Sequence, residues 1–320
     1  MVLIMEDKIR LGISSCLLGE NVRYDGGHRR DPFLTQTLSQ YAEYIPVCPE
    51  VECGLGVPRE SMRLIGQIES PRLVTSRSNI DLTDQMKNWA KKRLNELEKQ
   101  ELCGFIFKAD SPSSGMERVK VYDNNNVPAK KGIGIFAGMF MEHFPLIPVE
   151  EDGRLHDPLL RENFIEQIFT LKRWRDLMKN TWTMGNLVDF HSRNKLLILS
   201  HSEKHYRMMG KLVAEGKKTP IKKLFGDYET YLMEALRLKP SIKKNVNVLL
   251  HMVGYFKTNL SADEKKELLE IINQYRENVV PLIVPISLIN HYVRKYHQPY
   301  LGIQTYLNPH PIELKLRNHA

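Results

Sequence analysis

The 320-residue sequence is 42% hydrophobic and 26% charged, a globular composition with enough chain for two cores of roughly 150 residues each. Four cysteines are too few for a disulfide scaffold, the opening MVLIMEDKIRLG lacks the layout of a secretory signal, and the most apolar run, VVPLIVPISLI at 279–289, is shorter than the roughly 18 residues a membrane helix needs. The expectation is a soluble, cytoplasmic, two-domain protein whose cysteines serve as ligands or nucleophiles rather than cross-links.

Taken in chain order, IRLGISSC at 9–16, AEYIPVCPE at 42–50 and LCGFIFKADSPSSG at 102–115 are apolar runs ending in Gly-, Ser- or Pro-rich turns, which predicts buried strands running into loops. Between them, DPFLTQTLSQYAEY at 31–44 and LTDQMKNWAKKRLNELEKQE at 82–101 predict helices, the second opening with Thr83 as N-cap. Strand alternating with helix predicts an α/β domain, a parallel sheet with crossover helices. Its three loops would then gather at the carboxyl edge of the sheet, where open α/β sheets place their ligands. From about residue 159 the pattern turns to long helical stretches, after the acidic, turn-rich PVEEDGRLHDPLL at 148–160. The expected organisation is an α/β domain over 1–158, a helical connection over 159–188 and an all-α domain over 189–320, with YLNPHPIEL at 306–314 irregular.

Charge divides along the same line. Lys plus Arg minus Asp plus Glu is −3 over residues 1–160, +11 over 161–320 and +9 within 191–260 alone. That excess points to a polyanionic partner such as an RNA backbone, although a solvated basic surface accounts for the same count. In HSRNKLLILSHSEKHYRMMGKL, Arg193, Lys195, Lys204, Arg207 and Lys211 interleave with His201, His205 and Tyr206. Basic side chains hold phosphates and rings stack on unpaired bases, so these five cations are the candidate RNA-binding set.

Cys16, Cys48, Cys53 and Cys103 form no CxxC pair, which argues against a structural zinc knuckle. Cysteines on separate loops suit an iron–sulfur cluster instead, because soft thiolates match iron. With three protein thiolates, one iron stays open as a Lewis acid for a thiocarbonyl sulfur. Cys16 and Cys48 end strands and are the strongest ligand candidates. Cys53 shares the loop of Cys48 and could reach the site or point away, whereas Cys103 starts a strand and is expected to pack in the core. Glu50 adjoins Cys48 as a candidate general acid or base, and Ser111 in SPSSG could orient substrate or water. RYDGGHRRD at 23–31 is either a pocket-closing segment or a solvated loop.

ISSCLLGENVRYDGGH, VCPEVECGLGVPRE and FKADSPSSG together resemble the thiouracil desulfidase family. FHSRNKLLILSHSEKHY, INHYVRKYHQPYL and YLNPHPIELKLRNH resemble the YbgA-type helical domain, and the combination is similar to tRNA 4-thiouridine desulfidases. The resemblance implies a [4Fe-4S] cluster on three cysteines and no redox turnover. Cys16 and Cys48 match cluster ligands, Glu50 the acid/base carboxylate and Ser111 an assisting serine. The departure is Ser114, where short members of the family have cysteine in SPSCG. The third ligand then falls to Cys53 or to Ser114 itself, or the cluster is absent. The implied activity is removal of sulfur from 4-thiouridine in tRNA, releasing sulfide and leaving uridine. The alternatives are an RNA-binding or regulatory protein with a degenerate cluster site, or a desulfidase of free thiopyrimidines.

Overall fold

The computed structural model describes residues 8–318. The chain divides between Asp157 and Pro158 into two compact units. The first contains, in order, β1 (Ile9–Ser14), β2 (Ala42–Val47), the single-turn α1 (Pro49–Glu52), β3 (Met62–Gly66), β4 (Pro71–Thr75), α2 (Thr83–Glu98), β5 (Gly104–Phe107), β6 (Val119–Tyr122), β7 (Pro128–Gly132), α3 (Ile135–His143) and β8 (Val149–Glu151).

Four of these strands form a sheet in the order β2-β1-β5-β8, and every pairing in it is parallel. β1 lies inside the sheet, so Ile9, Leu11 and Ile13 are wholly buried, as a strand covered on both faces requires. Val47, Phe105 and Phe107 pack on Ala90, Leu94 and Leu97 of α2 and on Phe136 and Phe140 of α3. Each such buried phenylalanine stabilises the fold by about 1.5–3 kcal/mol relative to exposure. The expected parallel α/β architecture is therefore present.

A second sheet, in the order β4-β3-β6-β7, has no counterpart among the elements expected from sequence. It is mixed, with β3 parallel to β6 and the two outer pairings antiparallel. Leu64, Leu73, Val119 and Val121 point inward against Met86 of α2, so one helix serves both sheets. Thr83 is not the N-cap of α2; it is the first helical residue, and its hydroxyl accepts the Leu73 N–H at 2.8 Å. The helix expected over 31–44 is also corrected. Only short turns form at Phe33–Thr37 and Leu38–Gln40, because Ala42 already pairs with Ile9 as the first residue of β2.

The second unit is helical: α4 (Pro158–Met178), α5 (Met184–His201), α6 (Glu203–Ala214), α7 (Ile221–Arg237), α8 (Ile242–Gly254), α9 (Ala262–Arg276) and α10 (Ile283–Lys295). The stretch 159–188, expected as a connection, is instead built into this unit. Trp174 of α4 stacks on Tyr228 of α7 with ring centroids 5.1 Å apart and meets Phe190 of α5 edge-on. Glu166 of α4, 1% exposed, accepts hydrogen bonds from His201 and from Arg317 of the tail, both also buried. The irregular C-terminal segment is thus held by a buried ion pair. No described helix is long and apolar enough to cross a membrane.

Candidate functional site

Three loops that leave the carboxyl ends of β1, β2 and β5 enclose a cleft of about 380 Å³. Cys16 sits in the single 3₁₀ turn that follows β1. Its carbonyl accepts the N–H of Gly19 at 3.3 Å and of Arg29 at 2.8 Å, which folds the RYDGGHRRD segment back over the turn. Arg23, Tyr24 and Arg29 of that segment line the cleft.

Cys48 occupies the step from β2 into α1. Its extended backbone (φ −121°, ψ 97°) turns the chain, Pro49 starts the helix, and the Cys48 N–H donates to the Glu52 carboxylate at 2.9 Å. The thiol points to Glu50 Oε2 at 3.5 Å and to the Val22 carbonyl at 3.8 Å. Arg59 places Nη2 3.9 Å from the same carboxylate oxygen, while its Nη1 donates to the Val22 carbonyl at 3.0 Å and its buried Nε has no hydrogen-bond partner.

The third wall is the SPSSG turn after β5. Gly115 N–H closes it onto the Ser111 carbonyl at 2.8 Å, and the N–H groups of Phe136 and Ala137 at the start of α3 bind the Ser113 carbonyl at 2.9 and 3.1 Å. Two glycines allow this packing. A Cβ on Gly134 would lie 2.5 Å from the Ser113 carbonyl carbon, and one on Gly115 would lie 2.9 Å from the Ser111 carbonyl oxygen, approaches that only a residue without Cβ tolerates. Ser111 and Ser114 line the cleft.

Cys16, Cys48, Glu50, Ser111 and Ser114 therefore meet in one cleft, whereas Cys53 does not line it. Cys53 ends α1, directs its thiol to the Glu50 carbonyl at 3.3 Å and packs against the core of the second sheet. Cys103 is 1% exposed just ahead of β5 and lies away from the cleft. Among the described residues, no three His, Cys, Asp or Glu side chains form a metal-binding group; the donors that line the cleft include two thiols, the Glu50 carboxylate and the hydroxyls of Ser111 and Ser114.

Electrostatics follow from burial. Removal from water pushes the Cys16 thiol up to about 11, opposed by the nearby Lys108 ammonium. Burial, reinforced by the Glu50 carboxylate, pushes Cys48 up to about 12. Both thiols hold their protons unless a cation displaces them. Lys108 is fixed by Asp152 at 3.1 Å, and its backbone N–H donates to Ser14 Oγ at 3.0 Å.

Sequence reasoning missed three members of this site, Arg59, Lys108 and Ser113. Lys108 follows β5 directly, and its place at a strand end was the available signal. Ser113 is wholly buried and donates to Glu50 Oε1 at 2.5 Å; nothing in SPSSG distinguishes it from its neighbours.

Residues 11–152 match the family model described as 2-thiouracil desulfurase, and residues 195–311 match one described as a protein of unknown function (DUF1722). The uncharacterized protein YbgA of Escherichia coli (strain K12) is 31% identical over 153 residues, 48% of this chain and 90% of that protein. The chain belongs to the YbgA family. In this YbgA family member, a 2-thiouracil desulfurase family domain precedes a YbgA-like domain. A solved structure of a [4Fe-4S]-dependent thiouracil desulfidase, TudS, is 28% identical and covers 47% of this chain and 95% of its own, with a TM-score of 0.38.

In the helical unit, the five cations named from the sequence fall on two helices. Lys204, Arg207 and Lys211 are exposed along one side of α6, opposite buried His205, Met209 and Val213. Arg207 is ion-paired with Glu203 at 2.5 Å and Arg193 of α5 with Asp189 at 2.7 Å. Lys195 is half-buried, with its ammonium 4.8 Å from the ring centroid of Tyr300, which stacks on Tyr255.

Proposed function

We propose that the first unit removes sulfur from a thiolated pyrimidine with the aid of a [4Fe-4S] cluster, and that the natural substrate is 4-thiouridine in tRNA. The observation that carries this reading is the convergence of two thiols, a carboxylate and the SPSSG hydroxyls on one cleft at the carboxyl edge of a parallel sheet. The match of residues 11–152 to the 2-thiouracil desulfurase model supports it.

The two thiols of the cleft suit an iron–sulfur cluster, and the third donor available beside them is a harder hydroxyl. Cys16 and Cys48 would hold it as thiolates, with Ser114, which lines the same cleft, in the third position. Arg59, with an orphaned buried Nε, and Lys108 supply positive charge to offset those thiolates. A bound cluster contributes a Lewis-acidic iron able to take a soft sulfur. The chain's own residues supply the rest. Glu50 is the base for the water that attacks the thiocarbonyl carbon, and Arg59 holds its carboxylate within the cleft wall. Water adds oxygen to the ring carbon and sulfur departs as sulfide, so C=S plus water gives C=O plus hydrogen sulfide without net oxidation or reduction.

RNA as carrier of the base is supported by the helical unit. Lys204, Arg207 and Lys211 present a basic edge, and the Tyr255–Tyr300 stack beside Lys195 is suited to a nucleobase and its phosphate. The test is sulfide release after anaerobic reconstitution, with thiolated tRNA and free 2-thiouracil as parallel substrates. Release from tRNA is expected. Release from the free base alone would make the chain a thiopyrimidine desulfidase, and release from neither by an iron-loaded protein would overturn the enzymatic reading in favour of an RNA-binding or regulatory role.

A further inference from the structure

The charges that line the cleft carry an inference that rests on the desulfidase reading and deepens it. Four cations line it, and three are committed: Arg23 lies 3.4 Å from Asp25, Arg59 3.9 Å from Glu50 and Lys108 3.1 Å from Asp152. The fourth is Arg29, whose exposed guanidinium makes no hydrogen bond or ion pair among the described residues. Its backbone is nonetheless pinned, because the Arg29 N–H donates to the Cys16 carbonyl at 2.8 Å and the Asp31 N–H to the Leu17 carbonyl at 3.0 Å. The guanidinium therefore extends from a fixed point on the cleft wall. Two carboxylates line the same cleft, and Glu50 is held by Ser113 and Arg59. Asp110, on the turn after β5, is exposed and has no side-chain partner among the described residues.

Arg29 and Asp110 thus stand on different walls of one cleft, opposite in sign and unpaired with each other. A ligand that matches them presents an anion to the first and a hydroxyl to the second. A pyrimidine base alone offers neither, whereas a ribonucleotide offers both. Its phosphate suits the fork of a guanidinium, which binds it through two parallel hydrogen bonds. Its 2′-hydroxyl suits a carboxylate, which can only accept. That hydroxyl is also the ribose donor left free when the nucleotide is joined to its neighbours in a chain, and the group by which RNA differs from DNA. We propose that Arg29 and Asp110 make the cleft a ribonucleotide site, with Arg29 binding the phosphate and Asp110 the 2′-hydroxyl of the nucleotide that carries the thiolated base.

The experiment uses the reconstituted full chain and compares wild type with Arg29→Gln, Arg29→Lys and Asp110→Asn, with iron per chain measured in each. Calorimetry gives the affinities for uridine, uridine 5′-monophosphate and 2′-deoxyuridine 5′-monophosphate. A sulfide assay gives kcat and KM for 4-thiouridine and for its 5′-monophosphate. Wild type is expected to bind uridine 5′-monophosphate roughly 10- to 100-fold more tightly than uridine, the scale of a charge-assisted pair, and roughly 10-fold more tightly than the deoxy form. Arg29→Gln removes the first preference and keeps the second, and Asp110→Asn does the reverse. Arg29→Lys keeps part of the first, because it retains the charge and loses the fork. In turnover the loss appears in KM for the monophosphate with kcat little changed, as for binding shared by ground and transition states. A purely structural role would lower all three affinities together. That result, or equal affinities in wild type, would overturn the assignment, and a preference that survives in its own variant would overturn the role of that residue; sulfide release beside any of these leaves the desulfidase reading intact. Iron-loaded wild type that releases no sulfide from either 4-thiouridine substrate overturns that reading and the assignment with it.

Discussion

The Cys48 sulfur and Glu50 Oε2 lie 3.5 Å apart, so a thiol and a carboxylate two residues apart on one turn address the same cleft. Pro49 between them starts α1 and fixes this geometry. Glu50→Gln preserves shape and an oxygen for Ser113 but cannot take up a proton. It is expected to retain iron and thiobase binding while sulfide release falls by roughly 10²–10⁴-fold. Iron analysis beside a sulfide assay checks this, and loss of iron as well would give Glu50 a structural role instead.

The placement of Ser114 on the cleft and of Cys53 against the second core makes opposite predictions for iron retention. Cys53→Ala leaves iron per chain unchanged and Ser114→Ala lowers it. Ser114→Cys raises retention during gel filtration, since thiolate is the softer ligand. Cys16→Ala and Cys48→Ala each lose most of the iron. Loss on replacing Cys53 alone would reverse the assignment.

Acid sensitivity is expected from the helical unit. Burial, with the Arg317 guanidinium adding to it, lowers His310 to about 4, while Glu166 and Arg173 also act on the ring. An unfolded histidine titrates near 6.5, so between about 6.5 and 4 the unfolded chain binds a proton that the folded chain refuses. Stability contributed by neutral His310 is therefore complete above pH 6.5 and declines as pH falls toward 4, by up to about 3 kcal/mol. Urea unfolding at pH 7.5, 6 and 5 should show a shallower decline for His310→Gln than for wild type. Equal slopes would refute the assignment.

Charge removal on α6 is expected to separate RNA binding from chemistry. Replacing Lys204, Arg207 and Lys211 with Gln alters only exposed side chains, so the melting temperature holds. Affinity for tRNA drops and the salt dependence of binding becomes shallower, by about one in the log–log slope for each phosphate that is no longer neutralised. Turnover of free 2-thiouracil stays at the wild-type level. An unchanged salt slope would count against α6 as an RNA-binding surface.

Much of this site is legible in the sequence because strand ends announce themselves. IRLGISSC, AEYIPVCPE and LCGFIFKADSPSSG become β1, β2 and β5 with their loops, and those loops meet at the carboxyl edge because parallel strands all point the same way. The second sheet is obscured by its own chemistry. Arg63, Lys120 and Lys130 stand on short, half-exposed strands, which weakens any apolar alternation. Residues 31–41 carry a helical pattern, yet long-range pairing of Ala42 with Ile9 overrides it. The choice between Cys53 and Ser114 depends on the direction in which one turn of helix ends, and spacing cannot encode that. The roles within SPSSG differ only through hydrogen bonds to Glu50 and the backbone, which appear once residues 63 positions apart are brought together.

Gly134 and Gly115 let the SPSSG turn close on its backbone, where the Ser111 hydroxyl accepts the N–H groups of Ser113 and Ser114 and the Ser114 hydroxyl lies 3.4 Å from that of Ser113. The shape of the loop thus rests chiefly on its two glycines and on Ser111. Exchanging oxygen for sulfur at Ser114 would give a softer donor at a position only 3% exposed. A lineage could cross between SPSCG and SPSSG in a single substitution and keep its fold at every step, whereas a methyl group on either glycine would disturb the loop whatever donor it carries.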